Sequence, residues 1–394
     1  MALSASLYVH VPFCTGVCDY CDFFSVPIKS DDPRLSSYVD QILEDADSLL
    51  DRLNVKQIPT LYIGGGTPSV LGASLLRALV QGLRDLWKKN GVSEAPMEIS
   101  LEANPESCDE EFLAACRDAG VTRLSLGIQT FHEASRQAVH RAGEGRLLPE
   151  RLKLVSDFYP RSFSADLISG LPFQDEKIIQ EDIEKLTAFN PAHVSLYALT
   201  IEPETPLGIQ AANTWVAIPK KDEADRLWIT GRDVLERAGY AQYEVSNFCA
   251  PGKESLHNLR YWHMKNWLGL GPSASGTVIN DDGTAWRFTA TPDIDLWLQR
   301  KTNKEPPGLK EELDVLTVIK ETLLMGFRLL KGPDDVLFKR RFKKSIEETI
   351  PCTINAWRNQ GLLQQYRPAL TREGLLLLDP FLIQAFRELD EGNL

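Results

Sequence analysis

Six short apolar runs of strand character, each followed by a longer amphipathic stretch, constrain the fold of this 394-residue chain more than any other feature. The runs are Ser6–Val11, Thr60–Ile63, Glu98–Glu102, Arg123–Ile128, Phe163–Ile168 and His193–Tyr197. Helix-period stretches lie between several of them, at Leu35–Leu53, Leu75–Lys89, Asp109–Ala119 and Gln180–Phe189, and Asp222–Ala238 follows the sixth. Strands that alternate with helices pair in parallel, because the crossover needs a helix length of chain. The expectation is an α/β fold: a partial (β/α)6 barrel of the TIM type over residues 1–239.

After Tyr240 the periodicity weakens, and residues 240–305 mix glycine, aromatic and polar residues. We expect a connecting layer packed beside the barrel there. From Pro306 the pattern turns helical at Lys310–Leu330 and Ser345–Gln360, then suggests a hairpin around Leu362–Leu378. Residues 306–394 thus read as a small α+β domain of helix-and-wing character. No solenoid repeat or low-complexity segment interrupts the chain.

Charge and composition narrow the function. Hydrophobic residues make up 43% and charged residues 25%, ordinary globular usage that excludes disordered and collagen-like classes. The longest apolar run is the four leucines Leu375–Leu378, far short of a bilayer span. Lys and Arg number 43 against 55 Asp and Glu, so the net charge is 43 − 55 = −12, which disfavours nucleic acid as a partner. The start, MALSASLYVHVPFC, lacks the basic and long apolar regions of a secretory signal, so a cytoplasmic protein with reduced thiols is expected.

Seven cysteines occur, and three of them, Cys14, Cys18 and Cys21, form C-x3-C-x2-C directly after the first strand. Three thiolates on one short loop suit a single inorganic centre. Structural zinc wants four protein ligands, usually in two separated pairs, and Cys108, Cys116 and Cys249 lack that spacing. A four-iron, four-sulfur cluster held by three cysteines leaves one iron open to a cofactor. Zinc and incidental buried thiols stay as competing readings of the spacing alone. Cys108, Cys116, Cys249 and Cys352 read as ordinary small apolar residues.

Further polar residues fall at or near the ends of successive strands, where barrels assemble their sites. Gly64, Gly65, Gly66, Thr67 and Pro68 follow the second strand, and three glycines let backbone approach a ligand closely; a plain tight turn explains them equally well. Glu102 ends the third strand, and Gln129, Arg141 and Asp166 recur within or after later ones. Taken singly, each is as well explained as a buried polar residue satisfied by backbone. Tyr8 and His10 share a strand face by the two-residue period. His10 reads equally as a satisfied core histidine.

The chain resembles the radical S-adenosylmethionine superfamily in YVHVPFC, CTGVCDYCDF, GGGTPS, LEANPE, LGIQTF, DLISGLP and LTIEPETPL. Within it the HemN and HemW group is closest, with HNLRYW at His257–Trp262. The resemblance implies a [4Fe-4S] cluster on Cys14, Cys18 and Cys21. It also implies S-adenosylmethionine bound by Tyr8, Gly65, Gly66, Thr67, Glu102, Gln129, Arg141 and Asp166, and its reductive cleavage to a 5′-deoxyadenosyl radical.

Two departures point to the HemW heme chaperone family and away from coproporphyrinogen dehydrogenases. Phe23 stands where the dehydrogenases carry a further cysteine, and only thirteen residues precede Cys14. The family implies heme as cargo, delivery to apoproteins such as respiratory enzymes, and an electron donor such as flavodoxin or ferredoxin. It also links HNxxYW to heme, hence His257 as an iron ligand with Asn258, Tyr261 and Trp262 beside it. The competing reading is that His257 and Asn258 cap backbone groups while Tyr261 and Trp262 fill core. Ser275 replaces a histidine common in the family, so no role of that histidine carries over. The alternative function is a radical oxidoreductase acting on a tetrapyrrole. Lys339, Arg340, Arg341, Lys343 and Lys344 read first as a solvated helix face, with heme propionates, a peripheral membrane contact or a protein partner as other uses. A homodimer is a further expectation to test.

Overall fold

The structure is a computed structural model that describes residues 2–93, 98–300 and 307–392. Twelve strands form its main sheet. All six expected strands are present as β1 Ser6–Val11, β2 Thr60–Gly65, β3 Glu98–Ala103, β4 Arg123–Gln129, β5 Phe163–Ser169 and β6 His193–Ala198. They pair in parallel and in chain order, as right-handed βα crossovers dictate. The helices α1 Arg34–Arg52, α2 Gly72–Lys89, α3 Glu110–Ala119, α4 Leu148–Phe158 and α5 Glu176–Thr187 connect them, and α6 Lys221–Arg237 follows β6.

Strand alternation explains why the barrel has a polar interior. In β1 to β3 the positions Leu7, Val9, Leu61, Ile63, Ile99 and Leu101 pack into the main hydrophobic core. The intervening positions are Tyr8, His10, Tyr62, Ser100 and Glu102. Parallel strands covered on both faces normally read as continuous apolar runs, so polar residues on one face mark an interior reserved for chemistry.

The described part of the expected layer, residues 240–300, is hydrogen-bonded into the sheet and does not merely pack beside it; 301–305 lie outside the described residues. Hydrogen bonding joins the described part to both sheet edges. The short strand β8 Asn247–Cys249 adds antiparallel to β6, and β7 Ala241–Gln242 adds antiparallel to β8. On the other side β9 Trp267–Leu270 pairs parallel with β1, and β10 Ser275–Ile279 and β11 Ala285–Ala290 continue as a meander. The physical reason is that an open partial barrel leaves two edges with unpaired backbone groups, which these strands satisfy. The helix α7 Leu256–Trp262 lies between them in sequence.

The C-terminal segment also departs from expectation. Lys310–Leu313 are not helical: β12 Gly308–Leu313 completes the meander, and α8 Val315–Gly326 starts only at the Asp314 cap. The helix α9 Asp335–Phe342 follows. The expected helix Ser345–Gln360 is broken into Ile346–Thr349 and α10 Pro351–Asn359, since Pro351 offers no N–H to continue the first piece. The hairpin expected over 362–378 reduces to one bridge, Leu363 to Leu370, followed by helix Arg372–Leu375 and α11 Leu378–Asp390. These helices enclose a second core that includes Phe327, Phe338, Trp357 and Phe381. Cys108, Cys116 and Cys249 are buried as expected, whereas Cys352 is exposed. Among the described residues no helix is long and apolar enough to cross a membrane.

Candidate functional site

The cysteine loop leaves β1 at Val11 and is fastened from four directions. Gly66 and Thr67 donate their N–H groups to the carbonyls of Val11 and Phe13, at 2.8 and 2.7 Å. Phe13 and Cys14 pair with Val26 and Pro27 across a two-residue ladder. Asp19, 6% exposed, receives Gln210 Nε2 at 2.7 Å and stands 2.9 Å from His140 Nδ1. Its backbone bonds Val139 and Leu207. A loop held at so many points presents Cys14, Cys18 and Cys21 rather than letting them collapse.

Those three cysteines border a cleft of about 460 Å³ at the C-terminal ends of the parallel strands. Cys14 Sγ lies 3.0 Å from Thr67 Oγ1, and Arg141 Nη1 donates to Cys18 Sγ at 3.7 Å. A hydroxyl and a guanidinium at the sulfurs stabilise thiolates, the form that ligates metal. Burial pushes the Cys21 thiol up when no metal is present. Among the described residues no three His, Cys, Asp or Glu side chains gather as one metal ion requires. A cubane is gripped instead at separate corners.

The glycine run answers to the protein's own neighbours. A Cβ on Gly66 would meet the Phe13 carbonyl oxygen at 2.5 Å, and one on Gly65, which has φ +113°, would meet the His10 ring at 2.6 Å. On Gly64 it would strike Tyr62 and the Glu102 carboxyl. Gly66 therefore brings the turn after β2 against the cysteine loop, Gly64 and Gly65 make room for Tyr62, Glu102 and His10, and Gly65 and Gly66 also line the cleft. Gly66→Ala is expected to lower stability by about 1–3 kcal/mol, as overpacking does, and to reduce the iron retained after reconstitution. Thermal melts and iron analysis measure both; an unchanged melt would show that Phe13 yields freely.

Glu102, Gln129, Arg141 and Asp166 all reach the same cleft from successive strands and loops. Glu102 accepts from Tyr62 Oη at 2.8 Å and from Gly65 N at 3.0 Å. Arg141 donates to Asn104 Oδ1 at 2.8 Å and to the Gly127 carbonyl. Ser125 donates to Asp166 at 3.4 Å. At Gly127–Gln129 the β4 register shifts, and Gln129 takes φ +67°. Bulges of this kind re-aim a side chain beside a site, and left-handed backbone at a non-glycine stores strain. Gln129 Oε1 and Arg141 Nε are buried without a partner, as expected of groups awaiting a polar ligand. Donors, acceptors and thiols in this set fit a cluster and a sulfonium nucleotide.

Burial raises the Glu102 carboxyl from 4.5 to about 7, with the Asp166 charge adding to it, and raises Asp166 to about 6. Between pH 4.5 and 7 the folded chain thus holds a proton on Glu102 that the unfolded chain has lost. Its contribution to stability is largest below that window and declines as pH rises through it. In urea melts of cluster-free protein, Glu102→Gln should flatten this decline relative to the wild type; parallel curves would refute burial as the cause.

Tyr8 and His10 share the interior face as expected, with Tyr8 Oη 2.9 Å from His10 Nδ1, but neither lines the cleft. His10 Nε2 lies 2.9 Å from the Phe24 carbonyl, so the ring is a satisfied core histidine. HNLRYW forms α7 at the opposite, N-terminal end of the strands. Ser255 caps this helix, and the Glu98 carboxylate accepts from the backbone of Leu256 and His257, at 3.3 and 3.0 Å. An anion at a helix N-terminus is favourable on both dipole and hydrogen-bond grounds. Arg123 pairs with Glu98 at 3.0 Å and binds the Lys253 and Glu254 carbonyls.

His257 is 1% exposed, with Nδ1 2.9 Å from Thr60 Oγ1 and its ring 5.1 Å from Tyr62 and 4.9 Å from Tyr261. In this arrangement the imidazole is out of reach of a macrocycle, and Asn258, Tyr261 and Trp262 do not join the cleft. The physical reason is that α7 plugs the barrel's lower mouth. Ser275 sits in β10, away from the cleft.

The profile of the Radical SAM superfamily matches residues 8–186. "Heme chaperone HemW" of Escherichia coli (strain K12) is 34% identical over 381 residues, covering 96% of this chain and 97% of that protein. The chain belongs to the heme chaperone HemW family. A second family protein, from Bacillus subtilis (strain 168), is 28% identical across 94% of this chain and 96% of its own length. "Radical S-adenosyl methionine domain-containing protein 1, mitochondrial" of Mus musculus is 32% identical over 95% of this chain and 82% of that protein. Among solved structures, coproporphyrinogen III oxidase (HemN) from Escherichia coli superposes with a TM-score of 0.80, covering 98% of this chain and 90% of that one, at 20% identity. That likeness establishes the fold.

For this HemW-family chain, sequence reasoning missed Asp19, Asn104, Gly127 and Tyr197. Asp19 fastens the cysteine loop, and the other three line the cleft. Asp19 lay inside the cysteine motif and Asn104 and Gly127 inside LEANPE and LGIQTF, so the motifs carried a signal that residue-by-residue choice discarded.

Proposed function

We propose that this chain is a heme chaperone that holds a [4Fe-4S] cluster on Cys14, Cys18 and Cys21, binds S-adenosylmethionine beside it and delivers heme to acceptor proteins such as respiratory enzymes. One observation carries the cofactor part: seven of the eight expected nucleotide-binding residues border the same cleft as the three cysteines, Tyr8 alone standing apart. When bound, the cluster supplies one electron and an open iron for the amino and carboxylate groups of the nucleotide. Thr67 and Arg141 offset charge on the sulfurs. Glu102 and Asp166 offer acceptors to hydroxyl or ammonium groups, and Gln129 and Arg141 supply one further acceptor and donor. The glycine turn and Asp19 keep the cysteine loop in place. An electron donor of the flavodoxin or ferredoxin class completes the set of partners.

The heme part of this reading rests on the relatives' names. It is tested by mixing heme-loaded protein with an apo-acceptor and following transfer of the Soret band; retention of all heme by the chain would refute delivery. Incubation with coproporphyrinogen III, nucleotide and reductant is expected to yield no catalytic turnover. Because the His257 ring is buried, His257→Ala is expected to leave heme affinity and the Soret spectrum unchanged. Loss of the Soret band in that variant would return His257 to the iron.

A further inference from the structure

A second cavity, of about 580 Å³, lies where the HNLRYW helix meets the C-terminal helices, and its lining is out of keeping with an acidic protein. Arg260, Lys265, Arg340, Arg341 and Lys343 converge on it, with Asp281 as the one acidic residue of the lining. The chain carries 55 acidic side chains against 43 basic ones, so cations ordinarily find carboxylates close by. Among the described residues none of these five forms an ion pair, though their own structural bonds are few and firm. Arg341 Nη2 donates to the Met264 carbonyl at 3.1 Å, which links α9 to the turn after HNLRYW, and Lys343 Nζ donates to the Arg340 carbonyl at 2.9 Å. Arg260 Nε bonds Ser6 Oγ. Arg341 Nη1 is buried and has no partner.

Like charges held together at partial burial repel one another, and the arrangement costs stability unless something offsets it. The Lys265 ammonium registers the strain: burial lowers its affinity for a proton, Asp334 opposes this, and Arg341, Arg260 and Arg340 lower it further. The side chains come from three parts of the chain: α7, the turn at Lys265, and α9 with its left-handed cap at Lys343. A solvated helix face would need none of this convergence. Arg340, Arg341 and Lys343 line the cavity while Lys339 and Lys344 do not, so the basic run divides into a cavity-facing part and a solvent-facing part.

We propose that this cavity binds a small di- or polyanion through its paired oxyanion groups. Carboxylates on a macrocycle and phosphate groups share that chemistry, and the walls Ile279 and Leu337 leave room for an apolar body beside the charged end. This site lies apart from the cysteine cleft, and the inference stands or falls separately from heme delivery.

The test compares wild type with K265Q/R340Q and with K339Q/K344Q, two variants that lose equal charge inside and outside the cavity. The probes are inorganic pyrophosphate and iron protoporphyrin IX, followed by calorimetry and by the Soret band. K265Q/R340Q is expected to weaken at least one probe about tenfold or more, equal to about 1.4 kcal/mol, while K339Q/K344Q changes it less than about twofold. Loss confined to pyrophosphate assigns the site to phosphates, and loss confined to the porphyrin assigns it to carboxylates. If wild type binds neither probe, or both variants lose affinity equally, the proposal is overturned. If wild type binds heme and K265Q/R340Q binds it and pyrophosphate unchanged, this site falls while heme delivery stands. Circular dichroism and the cluster spectrum confirm that each variant is folded.

Discussion

Alanine in place of Cys14, Cys18 or Cys21 is expected to bring iron and sulfide after anaerobic reconstitution from about four of each per chain to near zero. With two thiolates left, two irons of a cubane lack protein ligands, and the cluster is no longer held. Folding should survive. Cys14 and Cys21 are only half-buried, and the loop around them is fixed by Asp19, Gly66 and Thr67 rather than by the thiols. At Cys14 and Cys21 the change in stability without metal should therefore stay within about 1 kcal/mol, while the buried Cys18 should cost more. Cys108→Ala reverses the pattern. That thiol is fully buried in the main core, and burial pushes it up to about 12. Its loss should cost about 1–2 kcal/mol of packing and leave the iron content intact. Iron, sulfide and urea melts on the four variants separate the two roles. Full iron content in a Cys14, Cys18 or Cys21 variant would overturn the ligand assignment.

Arg136→Ala is expected to have the largest effect on stability, about 3–5 kcal/mol, because it strands buried polar groups. Arg136 is 1% exposed. Its Nη1 donates to the carbonyls of Ile128 and Thr130 at 2.9 and 3.0 Å, and Nε to that of Gly143 at 3.3 Å. Nη2 reaches the Ala142 carbonyl and the Glu106 carboxylate. One guanidinium thus ties the end of β4, which carries Gln129, to the loop that carries Arg141. Lysine cannot reproduce this fork, so Arg136→Lys should recover little. Nucleotide perturbation of the cluster spectrum should weaken in step with the urea midpoint. A loss below about 1 kcal/mol would indicate that water replaces the guanidinium, contrary to its burial.

The cysteines and Arg136 are not equally legible in the sequence. Cys14, Cys18 and Cys21 announce themselves by spacing, since ligands to one centre on one loop must be close in sequence. Arg136 stands within a short helix, and nothing in its neighbours says that five acceptors surround it. Gln129 and Glu102 are intermediate cases. Position at a strand end singled them out, but the left-handed backbone of Gln129 and the Tyr62 and Gly65 bonds of Glu102 depend on register between strands. His257 is the opposite case. Its motif is plain in sequence, yet the burial of its ring follows from Glu98 and Arg123, distant in sequence, seating α7 against the barrel.

Local pattern by itself determined the six parallel strands, most of their helices, the cysteine loop and the glycine turn, because hydrophobic period and ligand spacing are properties of neighbouring residues. Tertiary structure alone decided that strands between Ala241 and Ala290 complete the sheet, that Lys310–Leu313 are strand, and that five cations share one cavity. Pairing at a sheet edge and charge convergence are set by segments far apart in the chain, and their energies are paid only when those segments meet.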